Sequence, residues 1–309
     1  MGEKPLKTGS GEVVVLSVGE ISRRIDDFVR EYLSDKSPAT VGTYRRSLNE
    51  LLRWISIRRR PLAFTVEGVE EYKRYLSESK GLHDVSISTY LTALRRFCQY
   101  LVDIGMLEVN PARAVKGNRR PSTHSRQVLT TDEVDALKRT IKPSTQIAKR
   151  DLAIVYLMLH SGLSEIEIVR SDVGDLEQTL MGWFLRVQGK GRTVKDQQVP
   201  VDIEVVTRIQ DYLSTRRVHP EAPLFVSHGH RSDGERLNTR SIRTRINEHL
   251  SRAGVKRSGI SPHSLTHTAA LIWLKNGMDL EEVQSRMRHG TLETTMISFK
   301  KQGLLGPAD

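Results

Sequence analysis

The sequence predicts a mainly α protein with a small β-sheet, divided into two domains. Apolar residues recur at spacings of three and four through residues 20–105, with no sustained strand-like alternation, which is the pattern of helices that each bury one face. Later in the chain, Trp183, Leu185 and Val187 fall on one face of an extended run, as a half-buried strand requires. A length of 309 residues exceeds the size at which a single core stops growing. With 38% hydrophobic and 28% charged residues, the composition excludes a wholly disordered chain.

Residues 1–18 read as a tail, rich in glycine, in which 13–16 can form a short strand or latch. A helical domain follows over 19–107. Its first helix places Ile21, Ile25, Phe28, Val29, Tyr32 and Leu33 on one face and ends at Ser37-Pro38. The second carries Val41, Tyr44, Leu48, Leu51, Leu52 and Ile55 as far as Arg58-Arg59-Arg60-Pro61. A third spans 66–76, and a fourth runs from Ile87 through Leu94 and Phe97 to Val102, stopped by Gly105. Residues 108–126 form a basic linker: no acidic residue lies between Glu108 and Asp132, while Arg113, Lys116, Arg119, Arg120 and Arg126 fall there beside Pro111, Gly117 and Pro121.

The second domain, 127–303, opens on Thr130-x-x-Glu133, a capping box that satisfies the free N–H groups of a helix start. Helices are expected at 131–142 and 147–161. The strand through Trp183 pairs with Gln197–Val201 across a Gly189-Lys190-Gly191 turn. Helices resume at 203–217, 238–253, 263–276, 279–288 and 291–301, and 304–309 is a short tail. The apolar positions of Trp54, Trp183 and Trp273 assign them to cores.

Forty-eight Lys and Arg against 37 Asp and Glu give a net charge of +11, which favours a polyanionic partner, duplex DNA first. A single cysteine, Cys98, excludes an internal disulfide and a multi-cysteine zinc site. No apolar run is long enough for a membrane span, and MGEKPLKTGSGE has no apolar signal core. The expected setting is the cytoplasm, at the nucleoid, without a membrane partner.

Four motifs follow one another in the second domain: Ser161-Gly162-Leu163-Ser164-Glu165-Ile166-Glu167, Gly189-Lys190-Gly191, His263-Ser264-Leu265-Thr266-His267-Thr268, and Met287-Arg288-His289-Gly290 with Thr294-Thr295-Met296. In order and spacing they resemble the tyrosine recombinase, or phage integrase, family over about residues 20–303. That family's patterns read S-G-L-R-x-x-E, G-K-G in a β-hairpin, H-x-L-R-H-T, and L-G-H with a tyrosine nine or ten residues on. The resemblance implies an N-terminal SAM-like helical core-binding domain that clamps DNA, and a mixed α/β catalytic-type domain.

Family members cleave DNA by attack of the tyrosine on a phosphodiester while two arginines hold the phosphate oxygens, leaving a 3′-phosphotyrosine. Arginine suits that task because its planar fork grips two oxygens and keeps its charge, and a lysine or histidine delivers a proton to the leaving 5′-oxygen. Lys190, His263, His289 and Glu167 match family positions. Ser164 and Thr266 stand where the two arginines belong, and Arg288 where glycine precedes the last histidine. Counting nine or ten residues from His289 reaches Ser298 or Phe299, and no tyrosine follows Tyr212. Losing two charged donors to a developing oxyanion costs about 6–8 kcal/mol, some four to six powers of ten in rate. Without the nucleophile the covalent route is absent.

The resemblance therefore implies a catalytically degenerate member, a DNA-binding pseudo-recombinase serving as accessory or regulator in site-specific recombination or integration. The alternative is an active recombinase with a divergent or engineered site, Phe299 or Ser298 standing at the tyrosine position. A third reading is an interaction protein that docks its last helix, 291–302, on a second protomer or on an active recombinase. Candidate DNA-binding residues are Arg58, Arg59, Arg95, Arg96, Arg119, Arg120, Arg240 and Arg243, grouped as phosphate-neutralising charge is. His263 and His267 have the spacing of two zinc ligands but neither an intervening carboxylate nor an evident third ligand, so no metal site is assigned. No Ser or Thr follows Gly189-Lys190, so no ATP-binding loop and no cofactor is assigned. His228 and His230 read as solvated loop residues.

Overall fold

A computed structural model of the chain describes residues 14–58, 62–117, 127–189, 191–229 and 232–289. They belong to two compact units, Met1–Ser122 and Thr123–Asp309.

The first unit is helical. Strand β1 (Val15–Leu16) pairs antiparallel with β2 (Leu62–Ala63), Val15 opposite Ala63, and Phe64 N–H adds a bond to the Val14 carbonyl at 3.0 Å. This is the latch expected at 13–16. Helix α1 (Val18–Asp27) starts in a reciprocal Ser17–Glu20 capping box and runs on through a π-turn at Phe28–Tyr32. Helix α2 (Pro38–Arg58) begins at the proline, since proline lacks only an N–H that a helix start leaves unused; the first helix has already ended at Tyr32, ahead of the Ser37-Pro38 stop expected from the sequence. Helix α3 (Val66–Arg74) is capped by Thr65, and α4 (Asp84–Asp103) ends before Gly105, at φ +75°. The core gathers rings: Phe28 lies 5.4–6.1 Å from Tyr32, Tyr44, Phe97 and Tyr100, and Trp54 lies 5.1 Å from Tyr72. Gly68 has a steric reason, because a Cβ there would stand 2.3 Å from the Ala63 carbonyl oxygen.

In the second unit the Thr130–Glu133 capping box starts α5 (Thr131–Thr140) as the sequence indicates. Helix α6 (Gln146–His160) is buried continuously from Arg150 to Leu159, and α8 (Ile203–Leu213) and α10 (Pro262–Lys275) pack against it. The sheet has order β3 (Leu176–Thr179), β4 (Gly182–Val187), β5 (Gln197–Val201), all antiparallel. Leu185 faces Val199, and both are buried with Val187 and Val201. Helices α9 (Thr239–Arg252) and α11 (Leu280–Met287) complete the unit. Among the described residues no helix is long and apolar enough to cross a membrane.

Among the described residues, several details differ from the sequence expectation. The sheet gains β3, whose four residues are too few to show an alternating pattern. The β4–β5 connection is a long loop between Val187 and Gln197 rather than a tight turn. Helix α8 stops at Leu213, where Thr215 and Arg216 turn back on the Tyr212 and Leu213 carbonyls. His228 is not a solvated loop residue: its Nε2 lies 3.1 Å from the Tyr212 hydroxyl, and its side chain is 9% exposed. The expected helix 291–301 lies outside the described residues.

Candidate active site

The first motif makes a turn and a short helix, α7 (Glu165–Arg170), which escapes the sequence reading because six residues show no period. Ser164-x-x-Glu167 was the available signal, the same capping pattern as Thr130-x-x-Glu133. Ser164 is the N-cap: its backbone N–H donates to Glu167 Oε2 at 2.8 Å and its hydroxyl to the same oxygen at 2.7 Å. Gly162 enters the turn at φ +61° with Trp273 of α10 and Met287 of α11 against it; a Cβ there would meet the Trp273 ring at 2.8 Å.

That packing brings the ends of α7, α10 and α11 together. Arg288 is the C-cap of α11, at φ 55°, ψ 34°, and among the described residues it is the one non-glycine with positive φ. The left-handed conformation costs an L-residue about 1–2 kcal/mol, so its surroundings must hold it there. They do so through the guanidinium. Nε donates to Glu167 Oε1 at 2.6 Å, and Nη2 to Glu167 Oε2 at 3.1 Å and to the Gly162 carbonyl at 2.9 Å. Nη1 donates to the Arg286 carbonyl. The Arg288 and Glu167 side chains are 7% and 6% exposed.

Thr266 is buried, and its hydroxyl donates to the Leu163 carbonyl at 3.4 Å. His263 lies one turn earlier on α10, its ring 5.8 Å from that of His267. His289 follows Arg288; burial, then the Arg288 charge, holds its imidazole below the usual histidine range, with Glu167 acting in the opposite sense and His263 in the same one. The structure therefore brings together Ser164, Glu167, Thr266, Arg288 and His289, with His263 in electrostatic reach of His289. Lys190, Ser298 and Phe299 lie outside the described residues.

The candidate DNA-binding arginines have different surroundings. Arg58 stacks on Trp54, 4.4 Å from the ring centre, and pairs with Glu71. Arg95 donates to the carbonyls of Ala112 at 3.0 Å and Val115 at 2.7 Å, which fastens the start of the linker to α4. Arg96 and Arg240 are exposed. Arg243, 58% exposed, donates to buried Glu165 at 3.2 Å. Arg59, Arg119 and Arg120 lie outside the described residues. A charged cluster that periodicity did not reveal sits beneath α9: Asp151 of α6 accepts from Arg150, Arg245 and His249.

A helical SAM-like module followed by a domain with this arrangement of motifs defines the class. Residues 127–302 match the phage integrase family and residues 25–105 match the phage integrase N-terminal SAM-like domain; the chain belongs to the tyrosine recombinase (phage integrase) family. It is 32% identical over 274 residues to tyrosine recombinase XerC of Chlamydia pneumoniae, covering 87% of this chain and 81% of that one. It is 31% identical over 284 residues to XerC of Yersinia pestis, covering 90% and 89%. In fold it is similar to a lambda integrase dimer bound to a COC′ core site, with TM-score 0.71 and 15% identity over 96% of this chain and 80% of that one. It is similar also to XerH site-specific recombinase bound to palindromic difH substrate, with TM-score 0.70 and 17% identity over 93% and 83%.

Proposed function

We propose that this chain binds duplex DNA at recombination sites without cutting it, as an accessory to or regulator of an active recombinase. One observation carries the reading. At both motif positions where the family presents a guanidinium to the phosphate, this chain presents a hydroxyl turned inward, Ser164 to Glu167 and Thr266 to the Leu163 carbonyl. A hydroxyl supplies neither charge nor a two-pronged grip, and these two are engaged within the protein. The net charge of +11 and exposed Arg96 and Arg240 support duplex binding, and the site needs no metal or cofactor for it.

A second reading, a recombinase site in which Ser298 is the nucleophile or Phe299 is a variant stand-in for the attacking tyrosine, draws support from the 31–32% identity to XerC proteins across both domains and from the retained His263 and His289. A suicide duplex, nicked so that a cleaved strand end is lost, separates the two. The non-cutting reading expects a salt-sensitive mobility shift and no protein–DNA adduct resistant to denaturation. An adduct from this chain overturns it, an adduct from F299Y alone favours the second reading with an inactivated nucleophile, and absence of any duplex binding at low salt overturns both. Self-association through 291–302 is a further expectation, for which a DNA-bound lambda integrase dimer and a tetramer on a Holliday junction are the precedents, and sedimentation with and without duplex tests it.

A further inference from the structure

We propose that Ser164 and Arg288 are an exchanged pair: the guanidinium that the motif pattern places at the head of α7 is delivered here from the end of α11, where it ties the two helices together and makes no contact with DNA phosphate. Glu167 is the shared partner. Its Oε2 accepts from the Ser164 backbone, the Ser164 hydroxyl and Arg288 Nη2, and its Oε1 from Arg288 Nε. A side chain three residues before Glu167 on the same helix faces the same turn, so an arginine at 164 and one at 288 compete for one carboxylate. This chain has the second.

Two features show what Arg288 does there. An arginine offers five N–H donors, and Glu167 takes two, Gly162 one and Arg286 one. With its side chain 7% exposed and its charge offset by Glu167, the group has neither the free fork nor the unbalanced charge that phosphate binding uses. The backbone at 288 is also held at φ 55°, a conformation that glycine adopts without strain and arginine only when its side chain is anchored. The anchor fixes the turn that carries His289, whose backbone N–H donates to the Gln284 carbonyl at 3.1 Å. Arg288 is thus a positioning residue.

The inference rests on the reading that this domain faces a duplex, but half of its test needs no DNA. Unfolding is measured for the full chain and for S164R, R288G and S164R/R288G. An exchanged pair predicts that R288G lowers the melting temperature, because Glu167 is left buried without its counter-charge, and that S164R/R288G recovers most of the loss. Failure of the double variant to recover, or to fold, overturns the proposal. Duplex affinity is then followed from 50 to 200 mM salt. R288G and S164R/R288G should both keep the parent's salt slope, because a guanidinium engaged by Glu167 adds no phosphate contact. A shallower slope in R288G shows Arg288 on a phosphate and also overturns the proposal. Loss of duplex binding by every protein, with the melting cycle as expected, removes the DNA reading and the phosphate arm while the α7–α11 tie stands.

Discussion

Nε2 of His249 donates to the carboxylate of Asp151 at 2.9 Å, joining α9 to α6 through two side chains that are 4% and 2% exposed. Arg150 and Arg245 donate to the same carboxylate at 2.7 and 2.8 Å. Burial pushes the Asp151 carboxyl up, but the His249 hydrogen bond and the Arg150 and Arg245 partners outweigh it and hold the group below the usual carboxylate range. Asp151→Asn leaves buried Arg150 and part-buried Arg245 short of a counter-charge, and removing one partner of such a cluster costs about 3–5 kcal/mol. Urea unfolding of the second domain checks this. Because the folded group is the stronger acid, its stabilisation is present above the unfolded value, near 3.9, and is lost as pH falls through the folded one. The variant should therefore show a flatter acid limb than the parent.

His289 gives the opposite kind of group the same direction of pH dependence. Burial, followed by the Arg288 charge, depresses its imidazole, so below about 6.5 the unfolded chain takes up a proton that the folded chain refuses. Stability should fall as pH drops below that value. His289→Gln should lose this dependence while retaining a stable fold near pH 7.5. Equal pH sensitivity in parent and variant, measured by urea midpoints at pH 5.0 and 7.5, counts against the assignment.

Gly162→Ala should be severe for so small a change. The new methyl enters at φ +61° and 2.8 Å from the Trp273 ring, adding about 1–2 kcal/mol of backbone strain to about 1–3 kcal/mol of overpacking. Thermal unfolding reads the total. Tryptophan fluorescence should change with it, since Trp273 must move.

The exposed arginines and the anchored one should separate by salt. Arg96→Ala and Arg240→Ala are each expected to reduce the salt slope of duplex binding by about 0.9 with the melting temperature unchanged. Arg95→Ala leaves the Ala112 and Val115 carbonyls without their donor, so it should lower the melting temperature and leave the slope in place. Fluorescence anisotropy between 50 and 200 mM salt distinguishes the two classes.

Most helices were legible because their apolar faces repeat over three turns or more, as Ile87, Leu91, Leu94, Phe97 and Leu101 do on α4, all buried. The caps at Thr130 and the turn at Gly105 were local and equally clear. What escaped was short or long-range. Helix α7 has six residues and β3 has four, under two full turns and just two strand repeats, too few for a repeating apolar pattern to stand out. The sequence motifs marked Ser164, Thr266 and Arg288 as departures from a pattern, but a departure has no direction. That Arg288 reaches Glu167, distant in sequence, depends on Gly162 letting α10 and α11 close on the turn. Asp151 was hidden within a helix buried on every side, where charge gives no periodic signal.

The two-residue β1–β2 ladder, with Val15 set against Ala63, closes the stretch from Ser17 to Leu62 into a ring. Inside a ring, α1 and α2 cannot slide lengthwise past each other without first unzipping the fastener. Removing the chain only as far as Val14 therefore spares the helices' mutual register, whereas deletion through Leu16 turns a locked hairpin of helices into one free to shift by a turn.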